Sequence, residues 1–332
     1  MYWINSGGTY SPNPSLIVFG GSGFVGTSIV NALLASNEFR IRIPVRPTST
    51  SKPSVARLLA LAPVSIVFVD IAVASTSLLK EIIADAEVVI CTLEIYDQVD
   101  LQKKLVDICV EVGTVKRFIP NDWASTGVKG VRWLHDKKLE VREYVKNSGL
   151  GYTFIDTGFW HQVLFRPLTP TGLKYPIFWE ASKNVYNGGT VKTACIHHDD
   201  LGRSVARIIK DPRTLNQYVF VWAQEVTQME LNALAHELGD PSLESIPRDT
   251  GYVLSKIKEA KLGNEHQILA YWQYHRSLWI LGENVVSNAV KAEFGGALDT
   301  QVLYPDMIAG LRGVRESAVE FYARAKESLE VA

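Results

Sequence analysis

The chain has 332 residues, 47% hydrophobic and 21% charged, the composition of a well-cored globular protein rather than a disordered segment. Its 34 basic and 35 acidic residues leave a formal net charge of −1 with no basic stripe, which argues against nucleic-acid binding through phosphate neutralisation. No apolar run approaches the ~20 residues of a membrane span, and the first fourteen residues have neither the basic start nor the apolar core of a secretory signal.

Residues 1–14 are therefore expected to form a flexible arm on a protein of the cytoplasm. Leu16-Ile17-Val18-Phe19 predicts a fully buried strand ending at Gly20. A helix follows from about Val25 to Ser36, with Val25, Ile29 and Leu33 on one face. Further strands are predicted at Ile41–Val45, Ser65–Val69, Glu87–Cys91 and Arg117–Ile119, with helical periodicity at Ser77–Ala84 and Val99–Val112. Apolar strands separated by helices predict an α/β fold with a doubly wound parallel sheet. Farther on, Leu134–Ser148 reads as a helix and Tyr152–Ile155 as a strand. Asp199 or Asp200 is placed to cap a helix running to about Lys210, and Tyr218–Trp222 is a strand. The remainder reads as mostly helical, with Thr227, Ser242 and Thr250 as start signals. Cys91, Cys109 and Cys195 are too widely spaced for a ligand pattern and read as reduced core thiols.

The segment Gly20-Gly21-Ser22-Gly23-Phe24-Val25-Gly26 carries the chemistry. It leaves the first strand and opens a helix, the context a dinucleotide-binding glycine loop requires. Glycines allow a tight turn and close approach of backbone to a pyrophosphate, while the helix start offers N–H groups and a positive dipole end. This places the fold in the Rossmann type. The end of the second strand chooses the cofactor. An acidic residue there holds the ribose of NAD; this chain has Arg46 instead, then Pro47, Thr48, Ser49 and Lys52, and no carboxylate from Arg40 to Lys52. Arg46 and Lys52 read as a cradle for the 2′-phosphate of NADPH or NADP⁺.

On the predicted helix Leu134–Ser148, a turn of ~100° per residue aligns Leu134, Lys138, Val141 and Val145 on one inward stripe. Lys138 interrupts that apolar face and Lys137 lies on its flank. A lysine there either borders a partly desolvated cleft, suited to proton transfer, or runs along the helix to water. Tyr252 and Lys256 match a Tyr-x-x-x-Lys spacing, but lie too far down the chain to follow the fourth or fifth strand and read as a chance match. His197-His198-Asp199-Asp200 reads as a strand running into a helix; neighbouring strand histidines face opposite ways, so no metal site is expected.

These residues resemble the NmrA-like and isoflavone reductase-like proteins, a group of atypical short-chain dehydrogenases. The likeness rests on the loop Gly20–Gly26, Arg46, Gln102, Val115-Lys116-Arg117-Phe118-Ile119-Pro120 and Lys138 with Arg142. It continues through Tyr152-Thr153-Phe154, Asp200-Leu201-Gly202 and Leu303-Tyr304-Pro305-Asp306. It implies an NADP-binding Rossmann domain over 15–158, completed by about 194–222, and a smaller C-terminal substrate-binding domain from 159–193 and 223–332. It also implies that Lys138 is the catalytic lysine, that Arg142 contacts the cofactor, that Thr92 borders the nicotinamide-side ribose and that Trp160 stands against the nicotinamide. Departures cluster on the substrate side: Asn121-Asp122-Trp123 after the proline, Gly158, Glu94, His135 and Asp136. The function implied is an NADPH-dependent reduction of a small, aromatic or enone-like secondary metabolite by a monomer or homodimer. A non-catalytic NADP(H) sensor, or an isomerase or cyclase that retains the cofactor, stays open as an alternative.

Overall fold

Strand β1 (Ser15–Phe19) is buried at every position, as a run with no polar side chain after Ser15 requires. In the computed structural model, which describes residues 11, 13–61, 64–93, 99–170 and 176–330, β1 is the middle strand of a five-stranded sheet. Its partners are β2 (Arg40–Val45), β3 (Val64–Phe68), β4 (Val88–Cys91) and β5 (Arg117–Ile119), in the order β3-β2-β1-β4-β5. Every neighbouring pair is parallel, and parallel neighbours need crossover connections. Helices α1 (Phe24–Ser36), α2 (Pro53–Leu59), α3 (Thr76–Ile83) and α4 (Val99–Val112) supply them. The chain runs outward from β1 through β2 to β3, then returns to β1's other side as β4. The order therefore reverses between β1 and β4, and ligands of open α/β sheets bind beyond the strand ends at such a reversal.

Beyond β5 come α5 (Trp133–Asn147) and β6 (Thr153–Thr157), and a single bridge between Phe118 and Tyr152 carries the pairing onward. Next follow β7 (Phe159–Trp160), α6 (His161–Leu164), α7 (Pro176–Ser182), β8 (Asn184–Tyr186), β9 (Lys192–Ile196), α8 (His198–Ile208) and β10 (Gln217–Val221). The chain finishes with β11 (Gln224–Thr227), α9 (Gln228–Leu234), β12 (Ile246–Arg248), α10 (Thr250–Leu262), α11 (His266–Trp279), α12 (Val286–Ala289), β13 (Leu298–Asp299), α13 (Thr300–Leu303) and α14 (Val314–Glu330).

These elements form two units. One takes the described residues up to Trp123 together with Asp136–Asp156 and Asp199–Val219; the other takes Ala124–His135, Thr157–His198 and the residues from Phe220 onward. In the first, Arg117 is 1% exposed. It donates to the carbonyls of Ile208 and Asp211 and to the Thr214 hydroxyl, fastening β5 to the end of α8. Cations suit that position because the last carbonyls of a helix carry partial negative charge. In the second unit, Phe165, Tyr186, Trp272, Trp279 and Tyr322 share one core. That accounts for two of the chain's eight tryptophans.

Several local expectations change. Helix α2 was not expected; it is only seven residues long, with Pro53 in its first turn as the start signal. Helix α8 begins at His198, so Asp199 and Asp200 lie in its first turn, where their charge meets the positive dipole end, instead of capping it. Asp249 caps α10, accepting from the Tyr252 N–H, and Thr250 is the first helical residue. Ser242 starts no helix; it donates to Asp240 in a turn ahead of β12. Thr227 does cap α9, in a reciprocal box with Glu230. Most of residues 1–14 fall outside the described residues. Ser11 bonds to Glu87, and the carbonyls of Asn13 and Pro14 accept from Arg40.

Candidate active site

The glycine loop sits at the reversal of the sheet. Gly20 takes φ +80°, a backbone conformation that side chains rarely adopt. A Cβ there would also lie 2.4 Å from the Thr92 carbonyl oxygen, just beyond the end of β4. Thr92 is drawn in by two bonds to the Phe19 carbonyl, from its N–H at 2.8 Å and its hydroxyl at 2.9 Å. Gly26 is closer still: its Cβ would fall 2.3 Å from the Gly20 oxygen and 2.6 Å from Gly21 Cα. Gly23 occupies the N-cap of α1 in an extended conformation, with no side chain to accept from the first turn, and that turn holds no acidic residue. Ser22 is half-buried and Val25 partly so, while Phe24 is 50% exposed. An anion could reach this helix start without displacing a side-chain cap.

Arg46 follows the end of β2, beside β1, and Lys52 precedes α2. Both are exposed, and neither side chain has a hydrogen-bond or ion-pair partner among the described residues. Two uncommitted cations with no carboxylate nearby in sequence fit a phosphate better than a ribose hydroxyl.

Helix α5 turns Lys138 inward and leaves Lys137 exposed, paired with Glu140 at 3.1 Å. Lys138 is buried with Val141 and Val145, and its Nζ donates to the Asp122 carbonyl at 2.8 Å. One turn on, Arg142 is buried as well. Its Nε donates to Asp122 Oδ2 at 2.8 Å and one Nη to Asp156 Oδ1 at 2.7 Å. The guanidinium carbon stands 4.6 Å from the Tyr218 ring and 5.4 Å from the Phe154 ring, and the Tyr218 hydroxyl donates to Asp156 Oδ2 at 2.6 Å. Burial alone would lower the Arg142 pKa, but Asp122 and Asp156 outweigh it and hold the group well above its usual value. Asp122 is pushed up by burial and by Asp156, against the pull of Arg142 and Lys138. Arg142 thus already spends its donors on two carboxylates, and so it fixes the segment whose carbonyl receives Lys138.

That segment, Asn121-Asp122-Trp123, is pinned on all sides. The Asn121 N–H donates to Gln102 Oε1 and its Nδ2 to the Leu93 carbonyl, both at 2.7 Å, and Trp123 Nε1 donates to the Cys91 carbonyl at 2.7 Å. Gln102 is therefore a positioning residue of the site. Asp156 and Tyr218 escaped the sequence reading, although a carboxylate inside the run Phe154-Ile155-Asp156-Thr157 was the available signal, since a strand buried throughout tolerates such a charge only when it is paired.

The structure brings the loop Gly20–Gly26 together with Thr92, and Lys138 together with Arg142. Trp160 belongs to the second unit, half-buried at the start of α6, with its ring edge-on to His198 at 6.5 Å. Gly158, beside it, is required because a Cβ would lie 2.7 Å from the Cys195 backbone across the β7–β9 pair. Glu94 lies outside the described residues. All three cysteines are free and buried, and burial pushes the Cys109 thiol up to about 12. Among the described residues no group of three or more His, Cys, Asp or Glu is placed to hold a metal, and no helix is long and apolar enough to cross a membrane.

A parallel sheet reversing at a glycine loop, with a helix N-terminus open beside it, defines a Rossmann-type nucleotide-binding protein. Within that class the chain belongs to the NmrA-like family, whose model matches residues 12–236. It is 30% identical over 301 residues to asnovolin J 5',6'-dehydrogenase of Aspergillus novofumigatus, covering 88% of this chain and 91% of that protein. To pinoresinol reductase 2 of Arabidopsis thaliana it is 25% identical over 307 residues, covering 88% and 92%. Among solved structures it resembles AtPrR2 with NADP+ and (+)pinoresinol, at TM-score 0.76 and 22% identity, over 94% of this chain and 100% of that one.

Proposed function

We propose that this chain is an NADPH-dependent oxidoreductase of the isoflavone reductase-like type, acting on a small, aromatic or enone-like substrate of secondary metabolism, with Lys138 as general acid/base. The observation that carries the reading is the buried ammonium of Lys138, set on the Asp122 carbonyl in the same unit as the glycine loop. The related proteins, named as a reductase and a dehydrogenase, support the oxidoreductase class.

The residues present fit an NADP cofactor. The start of α1 offers N–H groups with no competing carboxylate, the close contacts at Gly20 and Gly26 leave no room for side chains, and Arg46 and Lys52 are unspent cations. When bound, the cofactor supplies a hydride. Lys138 holds a proton at Nζ for the substrate oxygen or carbon that becomes negative as the hydride arrives. The Asp122 carbonyl keeps Nζ in one position, and Arg142 with Asp156 keeps that carbonyl in place.

Titration of the wild type and Arg46→Ala with NADPH and NADH tests the cofactor side. Binding of NADPH that is at least tenfold tighter than NADH, and a loss of that preference in the variant, is the expected result. Equal affinity for the two cofactors would remove the role given to Arg46. The dehydrogenase among the relatives favours assaying both directions, with NADP⁺ as well as NADPH. Product formed without a change in the cofactor's oxidation state would move the chain to the isomerase or cyclase class. Cofactor binding with no turnover across an aromatic and enone panel would favour a sensor.

A further inference from the structure

Strand β12 and helix α10 bring together a cation with unused donors. Arg248 ends β12, and its Nε donates to Asn184 Oδ1 at 3.1 Å. Its guanidinium carbon lies 4.2 Å from the centre of the Tyr252 ring. Neither Nη has a hydrogen-bond or ion-pair partner among the described residues. A guanidinium stacked on an aromatic face and bonded along one side has already lost most of its rotamer freedom. Its remaining edge is a planar pair of donors matching the two oxygens of a carboxylate. Elsewhere in the fold, such as at Arg142, the comparable donors already hold carboxylates of the protein.

Arg248 lines a cavity of about 270 Å³ built from elements of the second unit alone. This is just below the ~300 Å³ at which ligand cavities usually begin, a size for a small ligand. Ala181, Ile246, Ala260, Ile268 and Trp272 give it apolar wall, and the Trp272 ring meets Tyr252 edge-on at 5.8 Å. The other charges around it are Glu180, Lys256, Glu259 and Glu265. Lys256 is bonded to Glu259 at 2.6 Å, and Glu180 is paired with Lys183 at 3.0 Å. Among the described residues, Arg248 is thus the one lining cation without a carboxylate partner, and Glu265 has no cation paired with it. That balance favours a single negative charge on a ligand and opposes a second. Tyr252 and Lys256, whose spacing resembles a dehydrogenase pair, take a different part here: the tyrosine ring carries the arginine, and the lysine is neutralised by its neighbour one turn on.

We propose that this cavity binds a small monocarboxylate with an apolar body, its oxygens on the two Nη atoms of Arg248 and its body against Trp272. The proposal stands independently of the oxidoreductase reading, because no residue of the glycine loop or the Lys138 cluster lines the cavity.

Isothermal titration of the intact chain with 3-phenylpropanoate, 3-phenylpropanol and phenyl phosphate tests it. Saturable one-site binding of the carboxylate is expected, with the neutral alcohol and the dianion each weaker by about tenfold or more. Arg248→Met should weaken the carboxylate by about tenfold or more, and Arg248→Lys by about fivefold, because it keeps the charge but loses the planar edge. Tyr252→Phe, which preserves the stacking ring, should remain within about threefold. An unchanged NADPH affinity and melting temperature in the arginine variants certify that they are folded; if Met is not tolerated, Lys carries the comparison. Absence of saturable binding up to about 10 mM, equal binding of the alcohol, or full affinity in a folded Arg248 variant would each overturn the proposal.

Discussion

Replacing Arg142 by Leu should expose what the buried ion cluster does. The guanidinium is 6% exposed and its two carboxylate partners, Asp122 and Asp156, are 1% exposed each. Asp122 Oδ1 already lacks a hydrogen-bond partner. Removing the cation leaves two carboxylates facing one another with little water, and breaking a buried pair from one side costs about 3–5 kcal/mol. At ~2.1 cal/mol/K per residue, a chain of this length unfolds with an entropy near 0.7 kcal/mol/K, so the melting temperature should fall by about 4–7 °C at pH 7. The loss should also depend on pH in a defined sense. Asp122 is already pushed up by burial and by Asp156, and without Arg142 it rises further. The folded variant then binds more protons than the unfolded chain, so its stability is greatest below the unfolded carboxylate range and falls as pH rises, by at most about 1.4 kcal/mol per pH unit. Differential scanning calorimetry at pH 5, 6, 7 and 8 measures both effects, and adding Asp122→Asn should restore part of the loss. A shift below about 2 °C, or one independent of pH, would refute the view that Arg142 is a structural counter-ion. If Arg142 only contacted the cofactor, the variant would lose NADPH affinity with no such melting change.

Lys138→Met should lower kcat by about 10²–10⁴ on any substrate found, while the NADPH dissociation constant stays within about threefold; a variant with full turnover would end the general acid/base assignment. Gly26→Ala forces a Cβ to within 2.3 Å of the Gly20 oxygen and should cost about 1–3 kcal/mol in a melt, together with most of the cofactor affinity in a titration. His161 is fully buried, and burial first, then His197 and Arg312, depress its pKa to about 3. The unfolded chain therefore takes up a proton that the folded chain refuses, so stability falls as pH drops from about 6.5 toward 3, by about 1.4 kcal/mol per unit. His161→Leu should flatten that slope in urea unfolding at pH 5 and 7; an unchanged slope would count against it. Thr227→Ala removes both bonds of the α9 capping box and should cost about 1 kcal/mol in the same assay.

The central sheet was legible in the sequence because fully buried strands announce themselves as unbroken apolar runs, as in Leu16–Phe19 and Val88–Ile90. The inward side of α5 was legible for a related reason: Lys138 could be placed by its spacing from Val141 and Val145, whatever it touched. Contacts made across long sequence separations were not. Nothing near Lys138 in the chain announces that Nζ meets a carbonyl sixteen residues back, or that the cluster's second carboxylate is Asp156 and its phenol Tyr218. Short elements also escaped. Strands β8 and β12 have three residues each, too few to show a period of two, and α2 has only two turns. The cap of α10 slipped by one residue because Asp249 and Thr250 are both good caps and only the Tyr252 bond separates them.

The way Arg117 is held has a consequence for the order of events during synthesis. Its acceptors on α8 and in the following turn lie 91 to 97 residues later in the chain, and the second partner of Asp156, the Tyr218 hydroxyl, follows it by 62 residues. While these later residues are still inside the ribosome, Arg117 of the sheet lacks these acceptors, and Asp156 has Arg142 but not its second partner. The nucleotide-binding unit therefore cannot close as it emerges, and must hold an incomplete interior through the whole passage of Thr157–His198, which belongs to the other unit. Such a species exposes apolar surface and is a natural client for chaperones. A chain released before residue 199 should aggregate instead of yielding a small nucleotide-binding domain.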